Sequence, residues 1–299
     1  MKRTAFIFLV LLPLNLAIAQ NLKPYVLGFE STESTTATRE KVVKNLELNG
    51  INIAGQYQPA NDKNRFILVI TSPELENAVK KTGGLTGFAA SLRVAFTNEN
   101  GKTVVSYTNP PYWGNAYFRN EFDNVSSNYA ALSLKLEKAM KASGDFSGKQ
   151  FGSKQGLSVK DLRKYHYMIA MPYFEDVVQL GATDSYASTV AKIDANLKKG
   201  IAGVKMVSRI VIPGKEMTLY SFALSGEKGE SKFLPIIDIG LPKQTAFLPY
   251  EVLVSGKKAL MLHGRYRIAL SFPDLTMGTF TKIMSAPGDI ETLLKQIMK

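Results

Sequence analysis

Apolar and polar positions divide the chain into short elements that follow a recognisable order. "PYVLGFES" reads as an opening strand. "TTATREKVVKNLELNG" sets Val42, Val43, Leu46 and the stem of Arg39 on one helical face, closed by Gly50. "INIAGQYQP" alternates as a strand as far as Pro59, and "NRFILVI" is a continuous apolar run of strand length, predicted to be buried on both faces. In "SPELENAVKK" Ser72 is placed to cap a helix, Pro73 suits its first position and Glu74 its positive end. "TGGLTG" reads as a flexible loop. "LRVAFTNENGKTVVSYTNPPYW" predicts a hairpin turning at Asn100-Gly101. "SSNYAALSLKLEKAMKA" predicts an amphipathic helix with Leu132, Leu136 and Met140 along one side.

The second half runs through the same order. "EDVVQLGATDS" predicts a strand, and "YASTVAKIDANLKKG" a helix with Val190, Ile193 and Leu197 inward, closed by Gly200. "VKMVSRIVIPG" and "MTLYSFALSG" predict two strands. "YEVLVSG" with "RYRIALSFPDL" reads as a hairpin ending at Phe272-Pro273, as the first ends at Asn109-Pro110, and "PGDIETLLKQIM" as a closing helix. The first helix recurs about 150 residues further on, the signature of an internal repeat. Between the halves, the Gly/Ser/Lys-rich "SGDFSGKQFGSKQG" is a natural linker and "SVKDLRKY" a short helix capped by Ser158. "YHYMIAMPYFED" then leads a strand into the second half, with Tyr165, Tyr167, Met168 and Met171 expected to be mostly buried. The expected fold class is α/β, in the form of an α+β sandwich. Two similar domains, 20–143 and 173–299, flank a linker and joint at 144–172. Each carries a small mixed or antiparallel sheet under two to three helices.

This order of elements resembles the domain-of-unknown-function 302 family, twice over. "TREKVVKNLELNGINIAGQY" is similar to the family's helix and short strand. "RFILVITSPELENAVKKTGGLTGFAASLRVAF" resembles its strand, Pro-initiated helix and long loop into a Leu-Arg strand. "GKTVVSYTNPPY" resembles its tyrosine-turn-proline segment. "FLPYEVLV" and "SFPDL" echo these in the second copy, where the counterpart of Tyr107 falls at Leu270 or nearby. The resemblance implies a tandem duplication of a small α/β sandwich that tends to pair, so that one chain could reproduce the pairing internally. It implies no activity.

The chain begins "MKRTAFIFLVLLPLNLAIAQ", with a charged start, an apolar run and Ala17-Ile18-Ala19 at a cleavage spacing. This predicts a signal peptide at 1–19, a periplasmic or secreted protein, and no integral membrane segment after processing. The absence of cysteine removes disulfides, thiol nucleophiles and thiolate metal sites. The formal net charge is +12, and loss of Lys2 and Arg3 with the leader leaves +10. The positive charges are scattered and interleave no aromatics, which excludes a nucleic-acid module; a solvated basic surface is the preferred reading, and weak attraction to anionic lipid or cell-wall polymer the alternative.

Candidate chemistry is sparse. His166 and Met168 would share one face of a strand and offer imidazole and thioether to copper(I), but Met171 falls on the other face and no further ligand stands near. Packing at the joint is the preferred reading, with His166 serving packing or a hydrogen bond. No G-x-S-x-G elbow accompanies His263, and no H-E-x-x-H exists. "NPPYWGNAYF" is read as an aromatic cluster after the hairpin, and its preferred role is to cover the seam between the sheet and the closing helix. With Tyr107, its Tyr112, Trp113 and Tyr117 are the candidate ligand-binding residues for a small apolar ligand or a protein partner. The expectation is an exported, non-catalytic binding or scaffold protein without catalytic residues, metal site or cofactor. The alternatives are an enzyme working through carboxylates or tyrosines and a copper protein using His166 and Met168.

Overall fold

The computed structural model describes residues 21–299, so the expected leader lies outside the described residues. The first half comprises β1 (Tyr25–Ser31), α1 (Thr35–Leu48), β2 (Asn52–Tyr57), β3 (Arg65–Thr71), α2 (Pro73–Thr82), β4 (Leu92–Glu99), β5 (Lys102–Thr108), α3 (Pro110–Phe118) and α4 (Ser126–Ser143). The joint holds β6 (Gln150–Phe151) and α5 (Val159–Arg163). The second half comprises β7 (Val178–Ala182), α6 (Tyr186–Lys199), β8 (Val204–Val211), β9 (Met217–Leu224), α7 (Glu230–Ile237), β10 (Tyr250–Ser255), β11 (Lys258–Met261), α8 (Gly264–Ser271), α9 (Met277–Lys282) and α10 (Ala286–Leu294). The fold is a mixed α/β sandwich in two parts, with two antiparallel sheets.

The larger sheet has the order β2-β3-β4-β5-β1-β6, and the smaller, read from its far edge, β8-β9-β10-β11-β7. Without β6 the two orders coincide strand for strand. The irregularities coincide as well. Gly28 is an extra residue in β1 opposite Ser106 and Val105, as Leu180 is in β7 opposite Leu260 and Ala259. Ala54 is extra in β2 opposite Ile70 and Val69, as Val207 is in β8 opposite Phe222 and Ser221. Such bulges pin register, so these four match the halves residue by residue. Val69 pairs with Arg93 in β4, and Ser221 with Glu251 in β10. Counting in from the other bulges, through Ala95 and Leu253, sets Arg93 against Glu251 again. The same register places Met261, not Leu270, at the position of Tyr107. It also places Trp113 of α3 level with Arg267 of α8.

Strand alternation gives each sheet two faces. On the larger sheet Leu68, Ile70, Val94, Phe96 and Val105 form the outer face. They meet a layer supplied by α1, α2 and α4, whose Val42, Leu46, Leu75, Val79, Leu132, Leu136 and Met140 are buried. Ser72 caps α2 by accepting from Leu75 N–H at 3.4 Å, and Pro73 occupies its first turn, as the sequence predicts. The inner faces of the sheets turn toward each other. At one edge β2 crosses β8 so closely that a Cβ on Gly55 would stand 2.0 Å from the Val207 carbonyl, so only glycine fits.

Four local expectations are corrected. "TGGLTG" is not a free loop: residues 84–90 form a 3-10 helix whose Gly87, Phe88, Ala89 and Ala90 are buried against the second sheet. "RYRIALSFPDL" is not a strand. The partner of β10 is the short β11, while Tyr266, Ile268 and Leu270, which alternate like a strand, lie on the helix α8, buried on almost every side. The linker is not loose, because β6 adds a sixth strand beside β1. Finally, "YHYMIAMPYFED" forms turns rather than a strand, and β7 begins only at Val178. Tyr165 is buried as expected, Tyr167 and Met171 are half-buried, and Met168 is exposed. The short α5 is capped by Ser158, which accepts from Asp161 N–H at 3.1 Å.

Candidate functional site

The seam between the inner faces holds most of the buried charge. Arg65 pairs with the buried Asp238 and donates to Thr245 Oγ1 at 2.6 Å. Glu99 accepts from Thr97 Oγ1 (2.6 Å) and from the Lys243 N–H (2.9 Å). Arg93 pairs with Glu251, both side chains at most 2% exposed, and Ser91 Oγ donates to Glu251 at 2.8 Å. Glu230, in the first turn of α7, accepts from Tyr57 Oη (3.0 Å), Ala60 N–H (2.9 Å) and Leu224 N–H (3.2 Å). Burial pushes the Glu230 carboxyl up to about 7, against the pull of these donors. Each of these carboxylates bonds a group from the opposite half, so their shared chemistry is cohesion.

Of the aromatic residues singled out in the sequence, the three on α3 lie in this interior, while Tyr107, paired with Val94, lies on the outer face under α4. Tyr112, Trp113 and Tyr117 project from α3 and are buried, as is Tyr107 on β5. Trp113 Nε1 donates to Pro24 O (2.9 Å), Tyr112 Oη to Leu270 O (2.8 Å) and Tyr25 Oη to Ser271 O (3.0 Å). The Arg267 guanidinium lies 4.8 Å from the Trp113 ring centre and donates to Phe247 O at 2.6 Å. Burial raises the phenols of Tyr107, Tyr112 and Tyr117 above their ordinary value. Helix α3 turns these rings inward, because Pro110 starts a helix directly at the end of the hairpin. Their place is in the packing: none of the four borders the clefts among the described residues.

His166 is likewise engaged. Its Nε2 hydrogen-bonds Met171 O at 2.7 Å, and its ring stacks on Tyr173 at 3.9 Å. Because the segment turns, Met168 and Met171 border one small cavity together, without His166. His263 caps α8, its Nδ1 accepting from Arg265 N–H at 3.2 Å. Among the described residues, no group of three or more His, Asp or Glu could hold a metal ion.

A different site opens at one end of the seam. There the inner face of β5, β1 and β6 extends past the second half, leaving a cleft of about 740 Å³, within the size range of small-molecule sites. Its apolar surface comes from Leu27, Val104, Phe151, Leu241 and Pro242; Lys23, Lys102, Lys149 and Lys154 border it together with Glu30, Glu99 and Asp274, four cations against three carboxylates. Lys102 pairs with Glu30 at 2.9 Å, and Asp274 is held by Ser153 Oγ (3.0 Å) and Lys154 N–H (2.6 Å). Among the described residues, the ammonium groups of Lys23, Lys149 and Lys154 form no ion pair. An apolar surface with mobile lysines at its rim and a small cationic excess suits an amphipathic anion. Sequence spacing gave no hint of this site, since five separate segments build it. The one local signal was the lysines of "SGKQFGSKQG".

A crystal structure of an uncharacterised conserved DUF302 protein from Bacillus stearothermophilus is similar to this chain. It matches at 15% identity with a TM-score of 0.36, over 40% of this chain and 98% of that one. No family model matches the sequence, and no curated protein matches it. No helix among the described residues is long and apolar enough to cross a membrane.

Proposed function

We propose that the protein is an exported binding protein built from two copies of one α+β unit, and that it holds an amphipathic anion in the cleft at the end of the seam. The observation that carries the ligand class is the apolar surface of Leu27, Val104 and Phe151 bordered by three unpaired lysines. Export is supported by the three-part leader. N-terminal sequencing of native protein should give a start at or near Gln20, and an intact Met1 in a cytoplasmic fraction would sink export. The two-copy reading is supported by the shared strand order and by the paired bulges.

Calorimetric titration tests the ligand class. Decanoate should bind, decyltrimethylammonium should not, and Lys149→Glu with Lys154→Glu should weaken decanoate roughly tenfold or more, the equivalent of about 1.4 kcal/mol. These side chains are exposed, so folding should be unaffected. Equal binding of both amphiphiles, or none, would refute the cleft as an anion site.

A further inference from the structure

The joint presents an apolar surface that the seam does not use. Ile169 is 94% exposed at the tip of a turn, between Met168 (42%) and Met171. Beside it, Met277 (53% exposed) and Phe280 of α9 border the same cavity as Met168 and Met171. The turn is firmly built: Met171 N–H donates to Met168 O at 3.1 Å, His166 Nε2 bonds Met171 O, and the His166 ring stacks on Tyr173. Ala170 adopts φ 67°, a left-handed conformation that a residue with a Cβ rarely takes. The fold therefore uses an unfavourable backbone geometry to hold an isoleucine out in water.

The surroundings of this tip narrow the choice of partner. The cavity beneath measures only about 30 Å³, so it cannot receive a side chain from a docked peptide. Cations flank the tip. Lys160 and Lys164 border a groove with His166 and Tyr167, and Lys282 ends α9; all three are exposed. None forms an ion pair among the described residues, while Asp161 in the same groove is bonded by Ser158 Oγ at 2.6 Å. An apolar projection flanked by free lysines matches the two layers of an anionic bilayer surface, acyl chains inside charged headgroups.

We propose that the turn 167–171 and α9 form a peripheral docking surface for an anionic lipid bilayer, with Ile169 entering the acyl boundary and Lys160, Lys164 and Lys282 meeting headgroups. This proposal is independent of the cleft, which it does not include.

Co-sedimentation with vesicles of phosphatidylcholine, with or without an equal part of phosphatidylglycerol, tests it. The full chain should bind the mixed vesicles and not the neutral ones, and added salt should release it. Ile169→Asp should weaken binding roughly tenfold, the loss of one buried apolar side chain. Lys160→Glu with Lys164→Glu should weaken it similarly, and both variants should melt at the temperature of the unaltered protein. Failure to bind mixed vesicles, equal binding to both kinds, or unchanged binding by Ile169→Asp would overturn the proposal. So would a dimer in solution that Ile169→Asp dissolves while vesicles bind nothing, because the surface would then join two copies of the chain.

Discussion

On the outer faces of the two sheets, stability comes from shape: Leu68, Val94 and Phe96 lie against α1, α2 and α4, with hardly a charge among them. The seam between the inner faces instead buries charge that must be paired or hydrogen-bonded across it, since Arg65, Arg93, Glu99, Glu230, Asp238 and Glu251 are all buried there. Yet the two sheets follow one plan, and matched positions touch across the seam. Gly55 packs on Ser208, Arg93 pairs with Glu251, and the Arg267 guanidinium faces Trp113. In a symmetric pair of identical chains, contacts between matched positions would lie on the two-fold axis and set each residue against itself. An arginine there would meet an arginine. In this chain the positions in contact differ: glycine meets serine, arginine meets glutamate and tryptophan meets arginine.

Arg93→Glu tests that contrast most severely. It buries two carboxylates together and should cost on the order of 3–5 kcal/mol in urea denaturation. Reversing both members, Arg93→Glu with Glu251→Arg, should recover most of the loss, because the matched sites offer each residue similar surroundings. Replacing both by apolar residues, Arg93→Met with Glu251→Leu, should leave stability equal or higher, since Arg93 Nε and Glu251 Oε2 have no hydrogen-bond partner among the described residues. If Arg93→Glu unfolds with the unaltered protein, the pair contributes nothing to cohesion.

The outer face should respond as an ordinary core does. Leu136→Ala, at a fully buried position on α4, should cost about 3 kcal/mol, with no dependence on pH. Glu230 should give the opposite signature. Its folded carboxyl titrates at about 7 rather than 4.5, so the folded state holds the proton more tightly and this group's contribution falls as pH rises through that window. The stability difference between the unaltered protein and Glu230→Gln should therefore shrink by up to about 3 kcal/mol between about pH 5 and about pH 8. A difference independent of pH would show that Glu230 does not titrate there. The smallest effect belongs to the exposed rim: Lys149→Glu should change stability by less than about 0.5 kcal/mol.

This contrast also explains what could be read from the sequence. The outer faces were legible because apolar periodicity reports burial: Leu132, Leu136 and Met140 mark α4, and Ser72-Pro73 marks the start of α2. The inner faces were not, because Arg93 on a strand looks the same whether it meets water or the distant carboxylate of Glu251, and Glu99 the same whether it meets water or the Lys243 N–H. "RYRIALSF" misled for a related reason, since a helix buried on almost every side loses its period. Tyr112, Trp113 and Tyr117 were legible as a cluster, while the helix that Pro110 begins and that turns them inward has no periodic signal of its own. The cleft joins residues 23, 102, 149–154 and 240–244, a set that no local pattern can bring together.

The two-residue strand β6 has a consequence for the molecule's behaviour in crowded or concentrated conditions. An open sheet edge is a row of unpaired amides that can recruit strands from other molecules and seed aggregates. Here β2 and β8 abut each other, and the helix at 295–298 packs on β7, where Met298 lies against Gly181. The remaining edge, β1, is covered in part by β6, which is too short to offer a useful template in its turn. A chain without disulfides is thereby guarded against templated growth on all four sides of its sheets, and the segment that guards the last of them is the one that joins the halves.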